Sequence, residues 1–120
     1  MVAVQTLSAT EVLEAMVAMF ASGDPSKAAM VIGDDYLDHQ GLGTGPIRGI
    51  DGFAHVVRTN HATYETQDIC IEDLFGVADR AVARIRWRGR RGDGEVIDRE
   101  TIDIVRVNRG RAIEHWGGQA

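Results

Sequence analysis

RAVARIRWRGRRGDGEVIDRETIDIVRVNRGRAIEHWGG, residues 80–118, decides the fold. Apolar and charged residues alternate through 80–91, 95–108 and 111–117, and the runs are broken by Gly92-Asp93-Gly94 and Asn108-Arg109-Gly110. Period-two alternation bounded by turn residues reads as antiparallel hairpins. A three-residue loop at 92–94 pairs positions whose numbers sum to 186, setting Arg88 opposite Asp98 and Arg86 opposite Glu100. Opposite charges then face each other, which a loop one residue longer or shorter does not achieve. The same rule at 108–110 gives a sum of 218 and pairs Val105 with Ile113, Asp103 with His115 and Thr101 with Gly117. Ala81, Ala83, Ile85 and Trp87 extend that face.

The other face carries Val82, Ile102, Ile104 and Trp116 beside Arg84 and the two ion pairs. Both faces are thus partly apolar. One meets the rest of the chain, and the other is too hydrophobic for bare solvent, so a homodimer through Val82, Ile102, Ile104 and Trp116 is expected.

Outward from this core, residues 67–75 read as another strand, with a turn over 76–79. Upstream the period changes. Ser8 with Glu11 forms a capping box, and Val12, Leu13, Met16, Val17 and Phe20 recur at helical spacing until Gly23. Asp24-Pro25 predicts a second, short helix with Asp24 as N-cap, closing at Met30, Val31 and Ile32. Five glycines in 33–49 predict a loop, and a third helix is expected over 50–63, with Phe53, Val57 and His61 on one stripe. Three helices followed by a curved antiparallel sheet make an α+β domain.

With 120 residues, 44% hydrophobic, the chain is expected to form one domain with its own core. A net charge of −5 argues against nucleic acid, since a polyanion-binding surface is basic, and the arginines of 84–91 have acidic partners in the proposed register. The lone Cys70 excludes an intramolecular disulfide. Residues 1–7 show neither a basic leader nor a long apolar run, so a cytoplasmic protein with no membrane partner is expected. His39, His55, His61 and His115 lack metal-site spacing, and Gly41 to Pro46 makes a poor phosphate loop because Pro46 removes an amide donor. No metal or cofactor is expected.

Two stretches, YLDHQGLGTGPIRGIDGFAHVV (residues 36–57) and DIVRVNRGRAIEHW (residues 103–116), strongly resemble the SnoaL-like polyketide cyclase group of the nuclear-transport-factor-2-like superfamily. The resemblance implies a cone-shaped barrel of strongly curved sheet packed on three helices around a deep apolar pocket, frequent dimers, and no metal or organic cofactor. Such cyclases close an aromatic ring by intramolecular aldol chemistry, with a buried aspartate removing a proton beside a carbonyl. That aspartate falls just after the His-Trp pair, where this chain has Gly117. The superfamily also hosts isomerases, epoxide hydrolases, dehydratases and binding proteins, so fold alone does not choose.

Asp103 and His115, facing each other across two strands, are the leading candidate for acid/base work, either one serving as base. The alternative is a buried pair that only satisfies its own polarity. The resemblance sets Asp38 and His39 at the pocket mouth, with Asp38 the better candidate for a catalytic role and His39 for ligand contact; both residue types also stabilise turns. His61, Trp87, Tyr64 and Phe53 are candidates for the pocket wall, with core packing as the competing role. The expected function is general acid/base chemistry of the cyclase or isomerase type on a small hydrophobic carbonyl compound. The alternatives are a non-catalytic protein of the same fold that binds a small ligand, and a purely structural dimerisation domain.

Overall fold

The computed structural model describes residues 6–40 and 45–120; most of the rejected phosphate-loop stretch and residues 1–5 of the N-terminal segment lie outside them. The elements are α1 (Ala9–Ser22), α2 (Ala28–Val31), β1 (Ile32–Asp38), β2 (Ile47–Arg48), α3 (Gly49–Thr63), β3 (Tyr64–Val77), β4 (Arg80–Arg91), β5 (Val96–Asn108) and β6 (Arg111–Gln119). The strands form one open, strongly curved sheet in the order β2-β1-β6-β5-β4-β3.

Local chemistry explains the helix ends. At α1 the Glu11 amide donates to Ser8 Oγ and the Ser8 amide to Glu11 Oε1, completing the capping box. Gly23, at φ 74°, ends the helix with its N–H on the Met19 carbonyl. The Asp24-Pro25 start is corrected: the Asp24 carboxylate accepts from the Ser26 amide in a turn, and α2 begins only at Ala28. α2 also runs directly into β1, so Ile32 opens a strand rather than closing a helix.

The largest correction concerns 33–49, read from sequence as loop. Residues 33–38 instead belong to β1, which pairs with β2 antiparallel and with β6 parallel, so the sheet is mixed. Asp34 and Asp35, both exposed, sit where the β1–β6 register shifts, and they mask the alternation that a strand would otherwise show.

The β4–β5 register follows the sum of 186 throughout, including Arg86 with Glu100 and Arg88 with Asp98. The β5–β6 register departs from prediction. Arg109 (φ 53°) and Gly110 (φ 76°) make a two-residue turn in which Asn108 pairs with Arg111 and Val107 with Ala112. A side chain at residue 110 would strike Thr6 and Leu7. The register then shifts at Ile113, so that Val105 opposes His115 and Asp103 opposes Gly117. That bulge restores the parity lost by the shorter turn, and Asp103 and His115 become diagonal neighbours on one face instead of direct partners.

Ala81, Ala83, Val105 and Ala112, each fully buried, floor the concave face. Their small side chains let α1 lie close, burying Val12, Leu13, Met16 and Val17 against them, each worth about 1–3 kcal/mol of transfer free energy. Phe53 and Val57 of α3 close the same core. His61 does not share their stripe: it is exposed, packed over the Gly23 backbone at the end of α1. On the convex face Phe75, Val82, Ile104 and Trp116 oppose one another strand by strand, flanked by Arg84 paired with Glu72, Asp73 and Glu100. Among the described residues no helix is long and apolar enough to cross a membrane.

Candidate active site

Between α1, α3 and the concave face lies a cavity of about 80 Å³. Its wall is apolar over Leu13, Met16, Phe20, Phe53, Ile85 and Trp87. Polar groups gather at the sheet end, contributed by four adjacent strands: Tyr36 and Asp38 from β1, His115 from β6, Thr101 and Asp103 from β5, and Trp87 from β4.

These side chains form one hydrogen-bonded chain. His115 lies between two carboxylates, with Nδ1 2.8 Å from Asp38 Oδ1 and Nε2 2.8 Å from Asp103 Oδ1. Tyr36 donates to Asp38 Oδ2 at 3.2 Å, and the Gln40 amide to Asp38 Oδ1 at 2.9 Å. On the far side Thr101 donates to Asp103 Oδ2 at 2.7 Å and accepts from Trp87 Nε1 at 2.8 Å. Each link satisfies a polar group that burial would otherwise penalise.

Electrostatics fix the protonation pattern. Burial of His115 opposes its charge, yet hydrogen bonds to Asp103 and Asp38 and their negative charges outweigh that, and its pKa is pushed up to about 9. At neutral pH it is therefore an imidazolium donating from both nitrogens. Burial also works against the Asp38 charge, but the His115 bond and charge, with the Gln40 and Tyr36 donors, hold its carboxyl below the usual carboxylate range. Burial, reinforced by the Asp38 charge, pushes the Tyr36 phenol far up, so it stays a donor.

The two carboxylates are thus unequal. Asp38 accepts three hydrogen bonds, from His115, Gln40 and Tyr36, whereas Asp103 accepts two, from His115 and Thr101. Asp103 also occupies space that Gly117 leaves: a Cβ on residue 117 would stand 2.7 Å from Asp103 Oδ1 and 2.8 Å from Gln40 Oε1. The carboxylate of β5 therefore sits over the position where the cyclase resemblance places an aspartate on β6.

Of the sequence candidates, Asp103, His115 and Asp38 come together, and Trp87 and Phe53 line the same cavity. His39, Tyr64 and His61 do not line it. His39 turns to the convex face, stacked on Trp116 at 5.3 Å and bonded to Glu114 at 2.6 Å. Tyr64 begins β3, beyond the end of α3. Sequence reasoning missed Tyr36, Thr101, Gln40, Asn60 and Arg99. For Thr101 and Arg99 the signal was present, because they share parity with Asp103 on β5. Among the described residues no group of three or more His, Cys, Asp or Glu is arranged to hold a metal.

An open curved sheet that wraps helices around an apolar cavity, with a buried Asp-His-Asp array among its polar lining residues, defines a pocket-bearing fold of the α+β class. The SnoaL-like domain model matches residues 13–115, and the chain belongs to that family. A putative polyketide cyclase from Bacillus cereus ATCC 10987 is 24% identical, with a TM-score of 0.78, over 91% of this chain and 72% of that one. A SnoaL-like polyketide cyclase from Agrobacterium tumefaciens matches at 13% identity and TM-score 0.80, covering 98% and 93%. A Mycobacterium tuberculosis epoxide hydrolase of the LEH-like type matches at 16% identity and TM-score 0.76, covering 93% and 82%. These likenesses show the nuclear-transport-factor-2-like cone fold. No curated protein matches the chain.

Proposed function

We propose that the chain is an enzyme of proton transfer, of the cyclase or isomerase type, acting on a small hydrophobic carbonyl compound. The observation that carries this reading is the buried Asp38–His115–Asp103 array set against the apolar wall of the cavity. Asp103 is the base. Its carboxylate takes the proton from the carbon beside the substrate carbonyl, and the C–H electron pair moves onto the carbonyl oxygen as an enolate. Returning the proton at another carbon isomerises the substrate. Alternatively the enolate carbon attacks a second carbonyl, and Asp103 returns its proton to the new alkoxide, closing a ring.

The charges support the step. Before transfer the array carries −1, two carboxylates against one imidazolium; after Asp103 is protonated it carries 0, as the substrate goes from 0 to −1. The fixed imidazolium, held by Asp38, thereby offsets the charge that develops on the enolate without solvent reorganisation. The testing experiment follows deuterium incorporation at the acidic carbons of a panel of aromatic and cyclic ketones, with wild type and Asp103→Asn in parallel. Exchange by wild type alone supports the reading. Binding without exchange supports the non-catalytic ligand-binding alternative.

A further inference from the structure

Arg99 lies at the rim of the same cavity and has no role in the chemistry above. It is exposed, it lines the cavity, and it is the only lysine or arginine that does so among the described residues. Strand alternation sends it inward while its neighbours Asp98 and Glu100 turn to the convex face, where they pair with Arg86, Arg88 and Arg84. Arg99 forms no ion pair within 4.0 Å among the described residues. Its guanidinium instead lies over the ring of its cross-strand partner Trp87, 5.9 Å from the centroid. That ring is itself fixed by the Nε1 bond to Thr101 and by edge contact with Phe20. A guanidinium laid on a fixed aromatic face keeps its donor edge free, and less side-chain entropy is lost when an acceptor arrives.

The cavity wall is consequently polar in one direction. The Asp38–His115–Asp103 array, net negative, stands at one end. The positive Arg99 stands four residues up the same strand from Asp103, roughly 13 Å between Cα atoms at strand rise. A neutral ligand gains nothing from this arrangement. A ligand with an anionic group is repelled by the array and drawn to Arg99, so it enters in one orientation, with its uncharged carbonyl end toward Asp103. The cavity, about 80 Å³ and open at one side, is smaller than the roughly 150 Å³ cavity that holds benzene, so a ring-bearing ligand extends out to the rim where Arg99 stands.

We propose that Arg99 anchors a carboxylate on the substrate, which makes that substrate a keto acid with an apolar body. The orientation part rests on Asp103 as the base; the binding part does not. The experiment titrates 4-acetylbenzoate and its neutral methyl ester into 15N-labelled protein, following the indole N–H signals of Trp87 in the cavity and Trp116 on the convex face. The acid binds wild type about tenfold tighter than the ester, the size of one charge-assisted hydrogen bond at an exposed site, and moves the Trp87 signal, not that of Trp116. In Arg99→Gln the preference disappears while ester affinity stays within about twofold, and in Arg99→Lys part of it returns. Equal binding of acid and ester by wild type, an undiminished preference in Arg99→Gln, or failure of the acid to bind overturns the proposal. Since no turnover is read, loss of the Asp103 assignment leaves this result standing, and the reverse also holds.

Discussion

Raising the pH from 6 to 10 removes the proton that ties His115 to both carboxylates, and the structure sets the size of the effect. The folded-state pKa of about 9 lies above the ordinary value of 6.5. A group whose pKa is raised by folding adds stability that is fully present below the unfolded value and lost as pH climbs through the folded one. The window is therefore pH 6.5 to 9. Each unit of difference is worth about 1.4 kcal/mol, so the loss amounts to about 3 kcal/mol, a large share of the stability of a domain this size. Urea unfolding at half-unit pH steps measures it, with His115→Gln as the reference that isolates the His115 contribution. Wild type loses about 3 kcal/mol more than His115→Gln across the window, with unchanged m-value. Parallel profiles for the two proteins would refute the doubly bonded imidazolium.

Other consequences follow from single contacts. Gly117→Ala puts a methyl group against Asp103 Oδ1, which His115 and Thr101 hold in place; catalysed exchange falls at least tenfold in NMR assays while the thermal midpoint moves by only a few degrees. Thr101→Val strands the Trp87 indole N–H and leaves Asp103 Oδ2 without its donor; unfolding free energy in urea drops by about 1–3 kcal/mol. We propose that the row Phe75, Val82, Ile104 and Trp116, with Ile102 beside it, pairs with a second copy of the chain, its flanking arginines and acids meeting their opposites across a two-fold axis. Sedimentation then gives a dimer for wild type and a monomer for Trp116→Glu or Ile104→Glu; a persistent dimer in both variants contradicts it.

The α+β class and the β4–β5 register were readable because charge alternation and a Gly-Asp-Gly turn specify them locally. The Asp103–His115 contact was reached from a register that the structure corrects. Two errors, a turn one residue too long and an unseen bulge at Ile113, cancelled in parity, so the right side chains shared a face for a partly wrong reason. β1 was illegible because its partner β6 lies 70 residues and more away in the chain, and parallel pairing leaves no turn signature between them. Hence the second carboxylate, Asp38, could be named as a candidate but not joined to His115. The stripe that placed His61 inward failed because α3 ends two residues later, where the chain passes into β3 and the ring finds the Gly23 backbone instead.

The most direct test of the account is the rate of deuterium uptake beside the carbonyl of a bound cyclic ketone at pH 7. Wild type is predicted to exceed Asp103→Asn by about 10²–10⁴-fold, the usual contribution of a positioned general base, with ketone affinity nearly equal in the two proteins. Equal rates in the two proteins would contradict the assignment of Asp103 and, with it, the proposed chemistry.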